Sequence, residues 1–172
     1  ARFLTNPLVS PADVLASRAD LSVICVLNPG AFAFQGKTWL LLRVAEGLPA
    51  DQNTVSAVIL DPFAPGGVRQ VRANANSPAV ESGDARGFRY QGQQYLTTLS
   101  HLRLASSADG VHFEVDPRPA FEGLGDLETY GVEDCRVSCI DGTFYLAYTA
   151  VSSDGYGVGM ARTTDWQTFT RL

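Results

Sequence analysis

A short segment occurs three times in this chain at nearly constant spacing, which limits the folds that the chain can adopt. Asp84-Ala85-Arg86 and Asp134-Cys135-Arg136 lie fifty positions apart, and each is followed by a glycine turn and an aromatic strand. Asn28-Pro29-Gly30 begins a third copy, fifty-six positions before the second. A fixed spacing of this size is typical of repeat architectures, and it predicts a structure of stacked similar units.

The elements within each copy are short strands bounded by Gly, Asp or Pro, and no stretch shows a helical period. The predicted fold class is therefore all-β. Four short strands in a unit of about fifty residues are typical of a β-propeller blade. We expect a lead-in over 1–27 and blades at about 28–61, 84–117 and 133–172.

Three blades are fewer than the four to eight that close a propeller. The chain is then a fragment, or a homo-oligomer or second half-chain completes the ring, or the blades form an open stack. An open stack would leave unpaired strand edges, which proteins normally cover.

Composition excludes several classes of partner. The 172 residues suffice for one domain with a core, and 45% of them are apolar. A net charge of −5 without a basic cluster disfavours nucleic acid, and the sequence has no apolar run long enough for a membrane span. Three cysteines and two histidines without metal-ligand spacing predict free thiols and no metal site. The sequence does not assign a location, and the lack of a visible leader slightly favours the cytoplasm.

The first strand of each propeller blade lines the central channel, which makes the three copies a candidate site. Asn28, Asp84 and Asp134 hold equivalent positions there. Arg86 and Arg136 follow two residues later and should face the same way, since strand side chains alternate. Such a pocket suits a polyhydroxylated neutral ligand or an anion. The alternative is that these Asp and Arg residues form ion pairs that close each blade.

Four further polar residues are candidates for contact with a ligand. Arg43 ends an apolar strand, and Glu46 follows it near the same channel mouth. His101 lies at a strand end, and Glu133 precedes Asp134 and should face the opposite way on a regular strand. A surface ion pair is the alternative interpretation of Arg43 and Glu46.

Several motifs resemble glycoside hydrolase family 130, the β-mannoside phosphorylases and β-mannosidases. They are Asn-Pro-Gly at 28–30, Leu-Leu-Leu-Arg-Val-Ala-Glu at 40–46, Ser-His-Leu-Arg-Leu-Ala at 100–105, Gly-Val-Glu-Asp-Cys-Arg at 131–136 and Tyr-Thr-Ala-Val-Ser at 148–152. The resemblance implies a five-bladed propeller, of which this chain matches the first three blades. It also implies an inverting reaction at a terminal β-mannoside, in which one Asp protonates the leaving oxygen through the sugar's 3-hydroxyl.

The resemblance also implies roles for individual residues. Asp84 matches the general acid, with Ala85 where the family usually has proline, and Asp134 is the second candidate. Arg136 matches an arginine that phosphorylases use for phosphate. The family positions that surround the −1 sugar correspond to Asn28, Arg43, Glu46 and Arg86 of this chain. The implied partner is a β-mannoside oligosaccharide, with no cofactor beyond inorganic phosphate as co-substrate in a phosphorylase.

Two departures favour hydrolysis slightly over phosphorolysis. Asp154 stands where phosphorylases tend to have a basic residue and would repel phosphate, and Cys135 replaces the usual proline. A non-catalytic carbohydrate-binding or structural half-propeller is the alternative. A fructosidase or arabinosidase relative, in which Glu133 would be the acid, is disfavoured because the chain has no Trp-Met/Leu-Asn-Asp-Pro start.

Overall fold

The computed structural model describes Leu4, residues 6–84 and residues 86–172, with the backbone alone for 82–84. Strands dominate, which confirms the all-β prediction, and no helix in the described part could cross a membrane. Single 3-10 turns occur at Pro11–Asp13, Pro65–Gly67 and Asp126–Glu128. The strands are β1 (Ser22–Phe34), β2 (Lys37–Gly47), β3 (Thr54–Leu60), β4 (Val68–Asn74), β5 (Val80–Asp84), β6 (Gly87–Tyr90), β7 (Gln93–Leu96), β8 (Leu99–Ser107), β9 (Glu114–Val115), β10 (Gly131–Ile140), β11 (Thr143–Ser152), β12 (Gly155–Thr163) and β13 (Thr170–Arg171).

Two four-stranded antiparallel meanders form the body of the protein, in the orders β1-β2-β8-β9 and β10-β11-β12-β13. A single parallel bridge between Gly131 and Ser100 joins them. Gly131 has φ of +91°, and a Cβ there would lie 1.8 Å from the Ser100 carbonyl oxygen. The bridge therefore requires glycine at position 131.

The segment between β2 and β8 forms two small sheets of its own, the β3-β4 hairpin and the three-stranded β5-β6-β7 unit. This strand order differs from the predicted grouping of 84–117 as one unit, because β8 pairs with β2 rather than with β7. Nearly every residue of β8 is buried, and a strand that is buried on both faces is best accommodated in the middle of a sheet. The described strands do not close into a ring.

The main core lies between the faces of the two meanders and is rich in aromatic residues. Phe32 of the first meander stacks on Trp166 of the second, with ring centroids 3.8 Å apart. Phe121 and Tyr148 pack edge to face at 5.1 Å. The two meanders therefore pack face to face, and their first strands, β1 and β10, lie close together.

Irregularities at the same place in β1 and β10 show that the repeat has a structural meaning. The antiparallel register slips between Leu27 and Gly30 in β1, and between Glu133 and Arg136 in β10. Asn28 and Asp134, which lie within these slips, have φ of 38° and 50°. Asn and Asp enter this left-handed region more readily than most residues. Positions 28 and 134, which the sequence predicts to be equivalent, therefore each lie in a β-bulge, and the two bulges match.

Candidate active site

Arg43 of β2 holds two neighbouring carboxylates of β10. Its Nη2 lies 2.7 Å from Glu133 Oε1, and its Nη1 lies 3.0 Å from Asp134 Oδ1. A regular strand would send consecutive side chains to opposite faces, as the sequence predicts for Glu133. The bulge removes this alternation, because the left-handed Asp134 turns its carboxylate to the same guanidinium.

The two oxygens of the Asp134 carboxylate have different surroundings. Oδ1 accepts hydrogen bonds from Asn28 Nδ2 and Arg43 Nη1, both at 3.0 Å. Oδ2 accepts none from the described part of the chain, and the side chain is 36% exposed. One oxygen is therefore fixed by the protein while the other can meet a ligand.

Ser100 of β8 is a member of the site that the sequence analysis did not identify. Its Oγ donates to Glu133 Oε1 at 3.0 Å, so that this oxygen accepts from both Ser100 and Arg43. The sequence gives only a weak indication of this role, because nothing in the Ser-His-Leu-Arg-Leu-Ala motif distinguishes its serine from an ordinary strand residue. Only the bridge between β8 and β10 brings Ser100 to the site.

The charge state of Asp134 follows from competing effects on its pKa. Burial raises the pKa, but hydrogen bonds from Asn28 and Arg43 and the charges of Arg43 and Arg136 together lower it below the ordinary 3.8. Without a ligand, Asp134 is therefore a carboxylate at neutral pH and a hydrogen-bond acceptor for a hydroxyl group. A ligand that displaces water from Oδ2 would raise the pKa again, because desolvation disfavours the charged form.

The carboxylates open into a cleft of about 1040 Å³. The β5-β6-β7 unit and the segment after it contribute the opposite wall through Arg86, Gln94, Leu96 and Thr98. Tyr156 of β12 lies at the rim and is 86% exposed. The cleft is at the upper end of the usual volumes of small-molecule sites, about 300–1,000 Å³, and can accept an oligosaccharide.

Glu46 and His101 lie apart from this cleft, although the sequence predicted them beside it. Arg43 and Glu46 are three residues apart in β2 and face opposite sides of the sheet. Glu46 is fully buried, accepts a hydrogen bond from the Ser17 amide at 2.7 Å and another from the Ser17 hydroxyl. These contacts tie the lead-in segment to the first meander.

His101 completes the same buried cluster with Arg103. Arg103 Nη2 lies 3.1 Å from His101 Nε2, and Arg103 Nη1 donates to the Leu15 carbonyl at 2.5 Å. Burial, and after it the charge of Arg103, lowers the pKa of His101 from 6.5 to about 3. His101 is therefore neutral and accepts the hydrogen bond at Nε2. His101 also borders a separate cavity of about 420 Å³, lined by Ser17, Arg18 and Arg118 among others.

The remaining predicted residues have distinct places. Arg136 is exposed, and its Nη1 donates to the backbone carbonyls of Asp134 at 3.3 Å and Cys135 at 3.2 Å, which braces the bulge. Arg86 lines the cleft. Asp84 ends β5 two residues earlier, but its side chain lies outside the described residues. Its role as the acid therefore stays a prediction.

The described strands form antiparallel sheets, and two carboxylates and an arginine lie at the mouth of an open cleft. The sequence profile of glycoside hydrolase family 130, described as beta-1,4-mannooligosaccharide phosphorylase, matches residues 63–172. The chain belongs to this family. Members of the family act as β-mannoside phosphorylases.

Individual relatives agree with this assignment. A beta-1,2-mannobiose phosphorylase of Listeria innocua is 31% identical over 173 aligned residues, which are 96% of this chain and 48% of the relative. A solved complex of the Listeria innocua beta-1,2-mannobiose phosphorylase with beta-1,2-mannobiose superposes with a TM-score of 0.90 at 31% identity, covering 99% of this chain and 49% of the other.

A solved glycosyl hydrolase from Bacteroides ovatus shares the fold, with a TM-score of 0.62 at 19% identity. The superposition covers 96% of this chain and 38% of the other. The chain thus spans about half the length of the Listeria relative, and less of the Bacteroides protein.

Proposed function

We propose that the whole protein cleaves β-1,2-linked mannosides by phosphorolysis, with the cleft beside Asp134 as the sugar site. The observation that carries the proposal is the constellation of Asn28, Arg43, Glu133 and Asp134 at the mouth of a cleft of oligosaccharide size. The 31% identity to a beta-1,2-mannobiose phosphorylase supports the linkage and the use of inorganic phosphate as co-substrate. The proposal invokes no other cofactor.

We propose Asp134, the second candidate of the sequence analysis, as the general acid, because its carboxyl group lies at the described cleft. Its Oδ2 has no protein partner among the described residues and can carry a proton. After the proton leaves, Asn28 and Arg43 stabilise the carboxylate through Oδ1. We propose that the proton passes through the sugar's 3-hydroxyl to the leaving oxygen while phosphate attacks the anomeric carbon from the opposite face. The C1–oxygen bond to the leaving sugar breaks, and a C1–oxygen bond to phosphate forms with inversion.

The low pKa of Asp134 in the free protein must rise for this step, because a general acid has to be protonated near the working pH. A mannosyl group seated over Oδ2 would exclude water from a side chain that is 36% exposed. The resulting desolvation acts in the required direction.

Hydrolysis is the second candidate, and Asp154 favours it. Asp154 lies in the exposed turn between β11 and β12, next to the strand that carries the cleft residue Tyr156. A carboxylate near the phosphate position would repel the anion, and water would then be the attacking group. The phosphorylase relative weighs more in our proposal because its similarity covers nearly the whole chain.

The test is an assay of the whole protein on β-1,2-mannobiose with and without inorganic phosphate. We expect mannose 1-phosphate only when phosphate is present. Asp134→Asn should lower turnover by about 10²–10⁴-fold, the usual contribution of general acid catalysis. Glu114→Gln, which removes an exposed carboxylate of β9 that does not line the cleft, is the control.

Other outcomes would decide between the alternatives. Free mannose formed at the same rate without phosphate would establish hydrolysis. Binding of β-1,2-mannobiose without any turnover would favour a non-catalytic carbohydrate-binding protein. Unchanged turnover in Asp134→Asn would exclude Asp134 as the acid and return the role to Asp84.

A further inference from the structure

The site contains two carboxylates, and the proposed reaction uses only one as the acid. Glu133 is the more enclosed of the two, with a side chain 19% exposed against 36% for Asp134. Glu133 Oε1 accepts hydrogen bonds from Arg43 at 2.7 Å and Ser100 at 3.0 Å. A glutamate this firmly held is better placed to organise its neighbours than to exchange partners with a substrate.

Arg43 depends on Glu133 for its orientation. The Nε of Arg43 is buried and has no hydrogen-bond partner in the described part of the chain. Its two terminal nitrogens bind one carboxylate each, the shorter contact being to Glu133. The pair of carboxylates therefore sets the plane of the guanidinium, and Glu133, anchored by Ser100, is the fixed side of the pair.

Because Arg43 is shared between two carboxylates, it stabilises the charged form of Asp134 less than an unshared arginine would. A single Arg beside a single Asp holds the acid in its charged form. A second carboxylate on the same guanidinium offsets part of the positive charge and adds a like charge near Asp134, and both effects favour the protonated acid.

We propose that Glu133, anchored by Ser100, is a positioning residue that shares Arg43 with Asp134 and so lets the Asp134 carboxyl carry the proton it must donate. The inference rests on the proposed function for its catalytic meaning. Its electrostatic content can be measured without any turnover.

The charged and titratable groups around Asp134 come from several elements. Arg43 of β2 and Arg136 of β10 are cations that lower its pKa, and the neutral Asn28 of β1 donates to it. Across the cleft lie Arg86 and the hydroxyl of Tyr156. Among the described groups that line the cleft, Glu133 is the one anion besides Asp134 itself.

The experiment measures the pKa of Asp134 by carboxyl carbon NMR in the whole protein, and the pH profile of kcat for phosphorolysis of β-1,2-mannobiose, because kcat reports the acid in the bound complex. In Glu133→Gln we expect the pKa of Asp134 to fall by about one pH unit. The alkaline limb of the profile, which reports the acid, should move down with it. Ser100→Ala keeps the charge of Glu133 but removes its hydrogen bond from Ser100. It should shift the pKa of Asp134 and the alkaline limb in the same direction as Glu133→Gln, but by less. Glu114→Gln, a distant exposed position, should move neither.

The outcomes separate this inference from the proposed function. An unshifted or raised pKa of Asp134 in Glu133→Gln overturns the positioning role, whatever the activity. If Glu133→Gln does not fold, an unchanged pKa and profile in Ser100→Ala overturn it instead. A wild-type protein without turnover of the mannoside refutes the proposed function, while the NMR titration still decides the role of Glu133. Lower kcat with both pKa readouts unchanged would mean that Glu133 is only structural.

Discussion

The buried histidine of the first meander makes the stability of this protein depend on pH in a way that can be calculated. His101 is 4% exposed and accepts a hydrogen bond from Arg103 at Nε2, so that protonation would remove an acceptor and add a charge beside a buried cation. Its pKa is lowered from 6.5 to about 3, first by burial and then by Arg103. We predict that His101→Gln removes an acid-induced loss of stability that the wild type shows between pH 7 and pH 5.

The direction follows from proton binding. Below pH 6.5 the unfolded chain binds a proton at His101, and the folded chain does not do so until about pH 3. Stability therefore falls as the pH falls through this window, by up to about 1.4 kcal/mol for each pH unit. Between pH 7 and pH 5 the loss sums to about 2 kcal/mol. Carboxylates with a lowered pKa, such as Asp134, reduce the stability of the protein only at lower pH, because the pKa of an aspartate in the unfolded chain is about 3.8.

Urea denaturation at pH 7, 6 and 5 measures this loss as a change in the free energy of unfolding. The matched control is His112→Gln, because the chain has two histidines and His112 is exposed. Wild type and His112→Gln should lose about 2 kcal/mol from pH 7 to pH 5, and His101→Gln should lose little. The reasoning is refuted if His101→Gln keeps the full loss, or if His112→Gln abolishes it.

Three further substitutions test other parts of the structure. Tyr148→Phe removes the buried 2.7 Å hydrogen bond to Glu128 and should lower the free energy of unfolding by about 1.5–3 kcal/mol in urea, whereas no change would show that the bond is dispensable. Gly131→Ala should cost at least about 1–3 kcal/mol, because Gly131 combines a left-handed φ with a backbone contact. Gly142→Ala has a similar φ but open space around it, and an equal loss there would contradict the steric argument. Arg43→Lys cannot bridge two carboxylates with one ammonium and should lower kcat about 10²-fold; wild-type kcat would show that the bridge is not needed.

The repeated segment predicted more of the site than composition did. The repeat matches positions 28 and 134 through similar residues at similar spacing, and the structure places a left-handed residue and a register slip at both. This match succeeds because each of the two positions lies in a hairpin whose strands, β1-β2 or β10-β11, follow one another in the chain.

The face of the sheet to which each side chain points was harder to predict from the sequence. Glu133 joins Arg43 because a bulge interrupts the strand alternation, whereas Glu46 leaves the cleft because β2 keeps the alternation. Whether a strand contains a bulge depends on its neighbour. Gly30, for example, allows the two bulged strands to approach, since a Cβ there would lie 2.9 Å from the Cys135 carbonyl oxygen.

The all-β class, the family and the residue types of a carboxylate and arginine site could all be predicted from the sequence. Those properties depend on local alternation, turn residues and short motifs, which are written along the chain. The pairing of β8 with β2, the contact between Ser100 and Glu133, and the enclosure of His101 with Arg103 became visible only in the folded chain. The physical reason is that strand pairing and burial are settled by contacts between residues far apart in sequence, where many local patterns are equally compatible with several partners.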